Sequence, residues 1–393
     1  RLRLDALTMV LLKRLWKRKK MRSLLMIIDG LGDDSFAAWQ GRTPFEKAVH
    51  LNMDKLLEQG SLQELSICED DLAPESCSCI LRLLGVAKED MPQNRAYLEL
   101  LANGRDISEY EMVLRCNLVA VDEAGYLAGF NGTGLTALQM EEAAKICDDV
   151  LKDIEFIHLS EYRNLLIMNK EEKVLTAKIK PPHESVGEHL EELLSEIKAS
   201  SLSVKYFLQE AEARLQKFAH DGLHYALYPW GVSKRQSLPS FYNLHELRGG
   251  AVCKAEIVRG IGKALGMEVL VPKNATGDVD TDLFGKAEAT LELLQQYDFV
   301  VAHFNGTDEA AHRYDALEKV AFIERIDKEF LGTVLNAVQE PLKIVICGDH
   351  VTSSITGKHG RGVVPVLAWS SEYATKKLEN YQDIIKFLMK ECD

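Results

Sequence analysis

The sequence of 393 residues contains no CxxC pair, no dense cysteine framework, no internal repeat and no low-complexity segment. Its eight cysteines are scattered along the chain, which is typical of reduced thiols in the cytoplasm and argues against a secreted disulfide scaffold. No apolar run reaches the roughly 18 residues of a membrane-spanning helix. We therefore predict a cytoplasmic protein without stable membrane insertion.

An excess of positive charge is also lacking. Lysine and arginine together number 47 and aspartate and glutamate 60, so the net charge is −13. An acidic chain does not attract a polyanion by bulk charge, which argues against a nucleic-acid partner. An anionic small substrate would have to be held by local cations, either metal ions or arginines. The composition, with 46% hydrophobic and 27% charged residues, is that of a folded protein of about two or three domains.

The first twenty residues differ from the rest of the chain. Residues 1–20 carry basic clusters at 13–14 and 17–20, and most of these charges follow the apolar residues, whereas a signal peptide has its charges first. We interpret residues 1–20 as a basic extension ahead of a native start at Met9 or Met21. A basic amphipathic segment that touches a membrane surface is the alternative.

Short apolar strands alternate with amphipathic helices in the first and last parts of the chain. Such alternation predicts an α/β fold with a doubly wound, mainly parallel sheet. Strands are predicted at 23–28, 62–68, 267–271, 299–304, 342–347 and 363–369, and helices at 44–59, 251–265, 283–296 and 316–338. The middle of the chain has its own predicted elements, namely strands at 112–121, 165–168 and 225–231 and helices at 136–152 and 186–219.

Three of the predicted strands end in acidic residues. Asp29, Asp308 and Asp349 each follow a strand, and the carboxyl ends of parallel strands meet at one edge of a sheet. His312 is four residues after Asp308, so the two share a helix face if that segment is helical. A surface pair or a turn aspartate is the alternative for each motif taken singly. Together, acids and histidines suit Mn²⁺ or Zn²⁺, and two such ions can clamp a phosphoryl group.

Several segments of the sequence together resemble one protein family. The resemblance rests on IIDGLGD (27–33), GRTPFEKA (41–48), LRCNLVAVDEAG (114–125), the segment ATGDVDTDLFGKAEATLELLQQYDFVVAHFNGTDEAAH (275–312) and CGDHVTSSITGKHGRGVVPVLAW (347–369). These residues resemble the archaeal-type 2,3-bisphosphoglycerate-independent phosphoglycerate mutases of the alkaline phosphatase superfamily. The resemblance spans about residues 21–369. It implies a discontinuous metal-binding phosphotransferase domain at 21–92 and 247–393, with an inserted α+β cap or substrate domain at 93–246.

The resemblance also implies the site residues. One metal site would be formed by Asp308, His312 and His359, and the other by Asp29, Asp349 and His350 together with the nucleophile. Ser76 in PESCSCILRLLG (74–85) is the implied nucleophile, with Ser78 as the rival and a simple helix cap as the structural alternative. The substrate-binding candidates are Arg95, Arg115, Lys234 and Arg235; surface charges or ion pairs are the alternative for each.

The implied activity is an isomerase reaction of glycolysis. Two divalent ions, Mn²⁺ or Zn²⁺, would support transfer of phosphate through a phosphoserine between 3-phosphoglycerate and 2-phosphoglycerate, without 2,3-bisphosphoglycerate. Two segments depart from the family pattern: Cys77 and Ile80 replace an aspartate and a histidine, and residues 126–136 contain no arginine. Three alternatives therefore stay open: a metal-dependent phosphatase or phosphodiesterase, a phosphotransferase for another small metabolite, and a non-catalytic binding protein on the same fold. The oligomeric state is left open.

Overall fold

The structure, a computed structural model, describes residues 21–68 and 72–390. The basic segment predicted at 1–20 lies outside the described residues. The described residues divide into two compact units, the first formed by those up to Met91 together with those from Leu238 onward and the second by Pro92–Ser237. Residues 238–246 thus group with the first unit, although the sequence placed them in the inserted segment.

The strands and helices have the following bounds. The strands are β1 (Arg22–Ile28), β2 (Ser61–Leu65), β3 (Glu111–Asp122), β4 (Leu127–Gly129), β5 (Ile154–Ser160), β6 (Arg163–Asn169), β7 (Leu223–Lys234), β8 (Gly249–Val252), β9 (Glu268–Leu270), β10 (Phe299–Phe304), β11 (Leu342–Cys347), β12 (Val351–Ser353), β13 (Lys358–Gly360) and β14 (Val364–Ser370). The α-helices are Pro44–Lys47, Leu51–Leu57, Ser76–Leu83, Ala96–Ala102, Ala137–Cys147, Glu172–Leu175, Leu190–Ser200, Leu202–Leu215, Phe241–His245, Glu256–Ala264, Leu283–Gln296, Gly306–His312, Ala316–Arg325, Gly332–Ala337 and Gln382–Met389.

The first unit is built on a seven-stranded sheet in the order β2-β14-β11-β1-β10-β8-β9. The strands from β11 to β9 in this order are parallel, and β14 and β2 extend the sheet antiparallel at one edge. Ile28 of β1 is level with Phe304 of β10, and Ile27 is level with Cys347 of β11. The three central strands therefore end at the same edge, and the predicted α/β class with a mainly parallel sheet is confirmed.

Both faces of this sheet are covered, which explains why β1 is apolar from Leu24 to Ile28. Leu24 and Met26 belong to a core that also contains Leu293 of the helix Leu283–Gln296. On the other face, the helix Gln382–Met389 contacts β1 and β11, and Ser23 donates a hydrogen bond to the carbonyl of Leu388. A strand buried on both faces has no polar side to expose, so its sequence is a continuous apolar run.

Several predicted helices are interrupted in the structure. The segment 44–59 forms two helices, Pro44–Lys47 and Leu51–Leu57, because the carboxylate of Asp327 accepts hydrogen bonds from the backbone amides of Asn52 and Met53 and starts the second helix. The helix predicted at 316–338 contains a π-helical turn, Ile326–Leu331. These breaks depend on partners distant in sequence, which local helix periodicity does not reveal.

Two further predictions differ from the structure. The predicted helix at 251–265 was wrong at its start, because residues 249–252 form the buried strand β8 beside β10 and the helix Glu256–Ala264 follows. The long helix predicted at 186–219 is divided at Ser201, whose side chain caps the second part by accepting a hydrogen bond from the amide of Val204.

The second unit contains an antiparallel sheet in the order β4-β3-β6-β5, with β7 paired to β3. The helices Ala137–Cys147 and Leu202–Leu215 pack against one face, where Cys147 and Phe207 join the strand residues Leu114 and Leu166 in a buried core. Among the described residues no helix combines the length and the apolar character that a membrane span requires.

Candidate metal centre and active site

Three carboxylates converge at the edge where the central strands end. Asp29 follows β1, Asp308 lies in the helix after β10, Asp349 follows β11, and all three are buried. Gly30 allows this convergence, because its φ of +61° is a left-handed conformation and an added Cβ would lie 2.8 Å from Oδ1 of Asp308. Its backbone amide donates to Oδ1 of Asp349 over 3.0 Å. The carboxylates are therefore brought together by the sheet register and by a turn that requires glycine.

The first ligand group contains Asp308, His312 and His359. Nε2 of His312 lies 3.2 Å from Oδ2 of Asp308, and Nε2 of His359 lies 3.3 Å from Oδ1 of the same carboxylate. The two Nε2 atoms are 3.1 Å apart. Nδ1 of His312 donates to the carbonyl of Gly357 over 2.8 Å, which directs Nε2 toward Asp308. His359 lies on β13, which pairs with β12 so that His359 is opposite Thr352.

The second ligand group contains Asp29, Asp349 and His350. Nε2 of His350 lies 3.3 Å from Oδ1 of Asp29 and 3.5 Å from Oδ2 of Asp349. One ligand atom from each of these residues lies within 4.8 Å of the others, and the same holds for Asp308, His350 and His359. His350 therefore stands between the two groups.

Ser76 joins the second group. Its Oγ lies 3.2 Å from Oδ2 of Asp29, 3.3 Å from Oδ1 and 3.2 Å from Nε2 of His350. Ser76 is the first residue of the helix Ser76–Leu83, and Glu75 occupies the capping position without a side-chain cap. The hydroxyl thus points to the acidic cluster instead of capping the helix. Oγ of Ser78, the rival residue, donates to the carbonyl of Ala73 over 3.3 Å.

Burial and mutual attraction determine the charges of the first group. Burial raises the pKa of Asp308, but hydrogen bonds with His312 and His359 outweigh it and hold that pKa well below its usual range. The hydrogen bond with Asp308 in turn raises the pKa of His312 to about 9. In the metal-free protein the pair is therefore a carboxylate and an imidazolium.

The two acids of the second group differ in their proton affinity. Burial, together with repulsion from Asp29, raises the pKa of Asp349 to about 6. Burial lowers the pKa of His350, but attraction to Asp349 and Asp29 outweighs it and raises the value to about 10. Protons on histidines here occupy positions that divalent cations would take when bound.

The side chains fit divalent cations. Oδ2 of Asp349 is buried and has no hydrogen-bond partner among the described residues. The Nε2 atoms of His312 and His359 lie 3.1 Å apart and both approach the carboxylate of Asp308, so a shared cation could take the place of the proton between them. Carboxylate oxygens and imidazole nitrogens are the ligands that borderline divalent ions prefer.

The predicted substrate-binding cations all lie in the second unit. Arg115 is buried, its Nε donates to Glu99 over 3.0 Å, and its guanidinium stacks 4.2 Å from the centre of the Trp230 ring. Arg95 pairs with the same Glu99 over 2.9 Å. Burial lowers the pKa of Arg115 to about 10. The structure therefore gathers Arg95 and Arg115 around one carboxylate.

The other two predicted cations lie at the end of β7. Lys234 is exposed, and Arg235 forms a surface ion pair with Asp106 over 3.1 Å. Such a pair contributes little and leaves the guanidinium partly engaged. In this structure neither residue is buried or stacked as Arg115 is.

Two residues of the first unit that sequence reasoning did not select also contact the ligand groups. Thr352 donates from Oγ1 to Asp308 and lies 3.2 Å from Nδ1 of His350. His303 lies with Nε2 3.2 Å from Oδ2 of Asp29. The only sequence signal for His303 is a polar residue inside an otherwise apolar strand.

A family model described as the metalloenzyme superfamily matches residues 21–386. The chain belongs to the metalloenzyme superfamily. It is 30% identical to the 2,3-bisphosphoglycerate-independent phosphoglycerate mutase of Thermococcus kodakarensis, over 89% of this chain and 88% of that protein. It is also 30% identical to the mutase of the same name from Methanopyrus kandleri, over 92% of this chain and 91% of that protein.

These relatives confirm the family resemblance, and membership of the metalloenzyme superfamily supports the expectation of divalent metal ions. Solved structures agree on the fold. A protein from Pyrococcus horikoshii has a TM-score of 0.77 at 24% identity, covering 94% of this chain and 97% of that one. The cofactor-independent phosphoglycerate mutase of Thermoplasma acidophilum has a TM-score of 0.59 at 19% identity, covering 94% and 99%.

Proposed function

We propose that this metalloenzyme interconverts 3-phosphoglycerate and 2-phosphoglycerate through a phosphoserine on Ser76, as an isomerase of glycolysis in the cytoplasm. The observation that carries the proposal is the position of Ser76, whose Oγ lies within 3.3 Å of both Asp29 and His350 at the start of a helix. The mutase relatives, similar over nearly the whole chain, support the choice of phosphoglycerate among small phosphorylated metabolites.

Two divalent ions, Mn²⁺ or Zn²⁺, would be held by these side chains. Asp308, His312 and His359 would hold one, and Asp29, Asp349 and His350 together with Ser76 would hold the other. When bound, the ions would lower the pKa of the Ser76 hydroxyl and neutralise charge on the transferring phosphoryl group. The reaction returns the phosphate to the same glycerate, so it does not require 2,3-bisphosphoglycerate.

The residues of the first unit define the chemical steps. Ser76 gives its hydroxyl proton to solvent and its Oγ attacks the phosphorus. The bond from phosphorus to the glycerate oxygen breaks, and that oxygen takes up a proton from solvent and leaves as a hydroxyl group. The amides and dipole at the start of the helix Ser76–Leu83 favour the anionic phosphoserine. The other glycerate hydroxyl then gives up its proton and attacks the same phosphorus, which releases Oγ of Ser76.

The second unit would serve as the inserted cap and substrate domain. Arg115 and Arg95 offer a fixed pair of guanidinium groups, which suits bidentate recognition of a carboxylate or phosphate. Glu99 offsets part of their positive charge and holds both groups in place. Lys234 and Arg235 remain substrate-binding candidates of the same unit, with Arg235 having to exchange Asp106 for substrate.

A metal-dependent phosphatase is the second candidate function. It is favoured by Cys77 and Ile80, which are buried in the helix of Ser76 and replace the aspartate and histidine of the family pattern. Neither residue supplies a carboxylate or an imidazole that could guide the glycerate between the two transfers. Water would then take the phosphate from Ser76, and the product would be inorganic phosphate.

One assay separates these functions. The Mn²⁺-loaded full chain is incubated with 3-phosphoglycerate in the absence of 2,3-bisphosphoglycerate, and 2-phosphoglycerate is followed by coupling to enolase while free phosphate is measured in parallel. We expect the isomer without phosphate release. Phosphate without isomer would establish the phosphatase, and neither product from a metal-loaded protein would overturn both and direct the search to other phosphorylated metabolites.

A further inference from the structure

His303 is a buried histidine next to Asp29 that belongs to neither ligand group. His303 lies on β10 and is 1% exposed. Its register partner on β1 is Ile27, two residues before Asp29, so Asp29 and His303 face the same side of the sheet. Nε2 of His303 lies 3.2 Å from Oδ2 of Asp29. Neither ring nitrogen has a partner that meets hydrogen-bond geometry among the described residues.

This arrangement is unfavourable unless a partner is found. A buried imidazole that forms no hydrogen bond loses the bonds it had in water, and natural structures rarely tolerate that loss. Oδ2 of Asp29 is within hydrogen-bond distance of Nε2 but out of line with the ring N–H. A small rotation of the Asp29 carboxylate would align them.

The main chain around Asp29 is already fixed by other contacts. Thr307 donates from Oγ1 to the carbonyl of Asp29, and the amide of Asp29 donates to the carbonyl of Phe304. The backbone carbonyl of His303 accepts a hydrogen bond from Nζ of Lys286 over 2.7 Å. These contacts hold the two strand ends, so the rotation of the carboxylate depends on the side chains around it. Ser76 and His350 approach it from the ligand groups, and the imidazole of His303 approaches Oδ2 from β10.

We propose that His303 is a positioning residue for the metal centre. Its Nε2–H donates to Oδ2 of Asp29, which directs Oδ1 of that carboxylate toward His350, 3.3 Å away, and toward the ion that Asp29 shares with Asp349. Hydrogen bonds to ligating carboxylates commonly orient the ligand and strengthen metal binding. The inference rests on the proposed function in one respect, because it requires the Asp29, Asp349 and His350 group to hold a divalent ion.

The test uses two substitutions of similar size. His303→Gln places an amide N–H near the position of Nε2 and keeps a donor, whereas His303→Met fills the space without one. Mn²⁺ is titrated into the metal-stripped full chain by calorimetry, and thermal unfolding of the metal-free proteins is measured in parallel. His312→Gln, which alters the other ligand group, shows which of the two binding events belongs to which group.

We expect His303→Met to weaken one of the two Mn²⁺ sites by about 10- to 100-fold and to leave the site that depends on His312 within about twofold. His303→Gln should recover most of that loss. Unchanged Mn²⁺ affinity in His303→Met would overturn the proposal. Equal loss in the Met and Gln variants, with both sites weakened and the metal-free protein less stable, would also overturn it and make His303 a packing residue.

The outcome is separable from that of the proposed function. A wild-type chain that binds two Mn²⁺ ions but forms no 2-phosphoglycerate would overturn the mutase proposal while leaving the test of His303 intact. A wild-type chain that binds no divalent ion would overturn both proposals.

Discussion

The Nε2 atoms of His312 and His359 lie 3.1 Å apart, although the residues are 47 positions apart in the sequence. His312 is placed by the helix after β10, and His359 by the hairpin of β12 and β13. Both nitrogens also lie within 3.3 Å of the carboxylate of Asp308. In the metal-free protein a proton shared within this group takes the place of a cation, which links metal binding to pH.

Metal binding is expected to release protons. The pKa of His312 is raised to about 9 by Asp308, and that of His350 to about 10 by Asp349 and Asp29 against the effect of burial. Near neutral pH both imidazoles therefore carry a proton that a bound ion must displace. The apparent affinity of each site for Mn²⁺ should therefore fall as the pH decreases, by up to about tenfold per pH unit, because each ion displaces one proton.

Calorimetry in two buffers with different ionisation enthalpies measures this release directly. We expect about two protons per fully loaded chain near pH 7.5. His312→Gln is the matched control, because it removes one of the two titrating imidazoles and should reduce the release by about one proton. An affinity that does not change between about pH 8.5 and pH 6.5 would contradict the ligand assignment.

Substitution of Ser76 should abolish turnover whichever product is formed. Ser76→Ala removes the hydroxyl that lies within 3.3 Å of Asp29 and His350, and loss of a nucleophile commonly reduces the rate by about three orders of magnitude or more. Ser78→Ala is the control, because that hydroxyl, in the same helix, donates its hydrogen bond to the backbone carbonyl of Ala73. We expect Ser78→Ala to retain most of the rate in the 3-phosphoglycerate assay. The opposite ranking of the two variants would assign the nucleophile to Ser78.

The fold and the convergence of the three carboxylates follow from local signals in the sequence. Asp29, Asp308 and Asp349 each end an apolar strand, and parallel strands bring their ends to one edge, so the convergence follows from strand order and register. Asp308 and His312 are four residues apart, so their proximity on one helix face also follows from local spacing. By contrast, His359 reaches the site through a hairpin, and its assignment came from the family resemblance.

Contacts between distant segments could not be predicted in this way. No local feature of the sequence indicates that Asp327 starts the helix Leu51–Leu57. Nor does any local feature indicate that His303, on the neighbouring strand β10, lies beside Asp29. The buried strand β8 was missed because its residues, Gly249 to Val252, are small and few, and only pairing with β10 identifies them as a strand. Each case depends on tertiary packing that overrides local preference.

Removal of Glu99 should destabilise the second unit strongly. Its carboxylate pairs with the buried Arg115 over 3.0 Å and with Arg95 over 2.9 Å, so Glu99→Ala leaves a buried guanidinium without its counter-charge. Breaking a buried pair from one side typically costs about 3–5 kcal/mol. Arg235→Ala, which breaks the exposed surface pair with Asp106, is the control and should leave the stability nearly unchanged. Chemical denaturation of the full chain measures the stability loss of both variants. An equally small loss in both would show that water compensates the charge of Arg115 once Glu99 is removed.

Gly30→Ala should disrupt the metal centre more than backbone strain predicts. Gly30 has φ of +61°, and an added Cβ would lie 2.5 Å from Oγ1 of Thr352 and 2.8 Å from Oδ1 of Asp308. Gly41 is the matched control, because its φ is +80° but an added Cβ meets nothing within 4 Å. Gly41→Ala should therefore cost only the strain of a left-handed alanine, about 1 kcal/mol, with Mn²⁺ affinity unchanged.

Gly30→Ala carries the same strain and in addition pushes Asp308 away from His312 and His359. We expect a larger loss of stability, about 2–4 kcal/mol, and weaker binding of at least one Mn²⁺ ion. Thermal unfolding with and without Mn²⁺ separates the two effects, because displacement of Asp308 reduces the stabilisation that the ion provides whereas strain does not. If both alanine variants gained equal stabilisation from Mn²⁺, the Asp308 carboxylate would not be a ligand, and the first metal site would have to be reassigned.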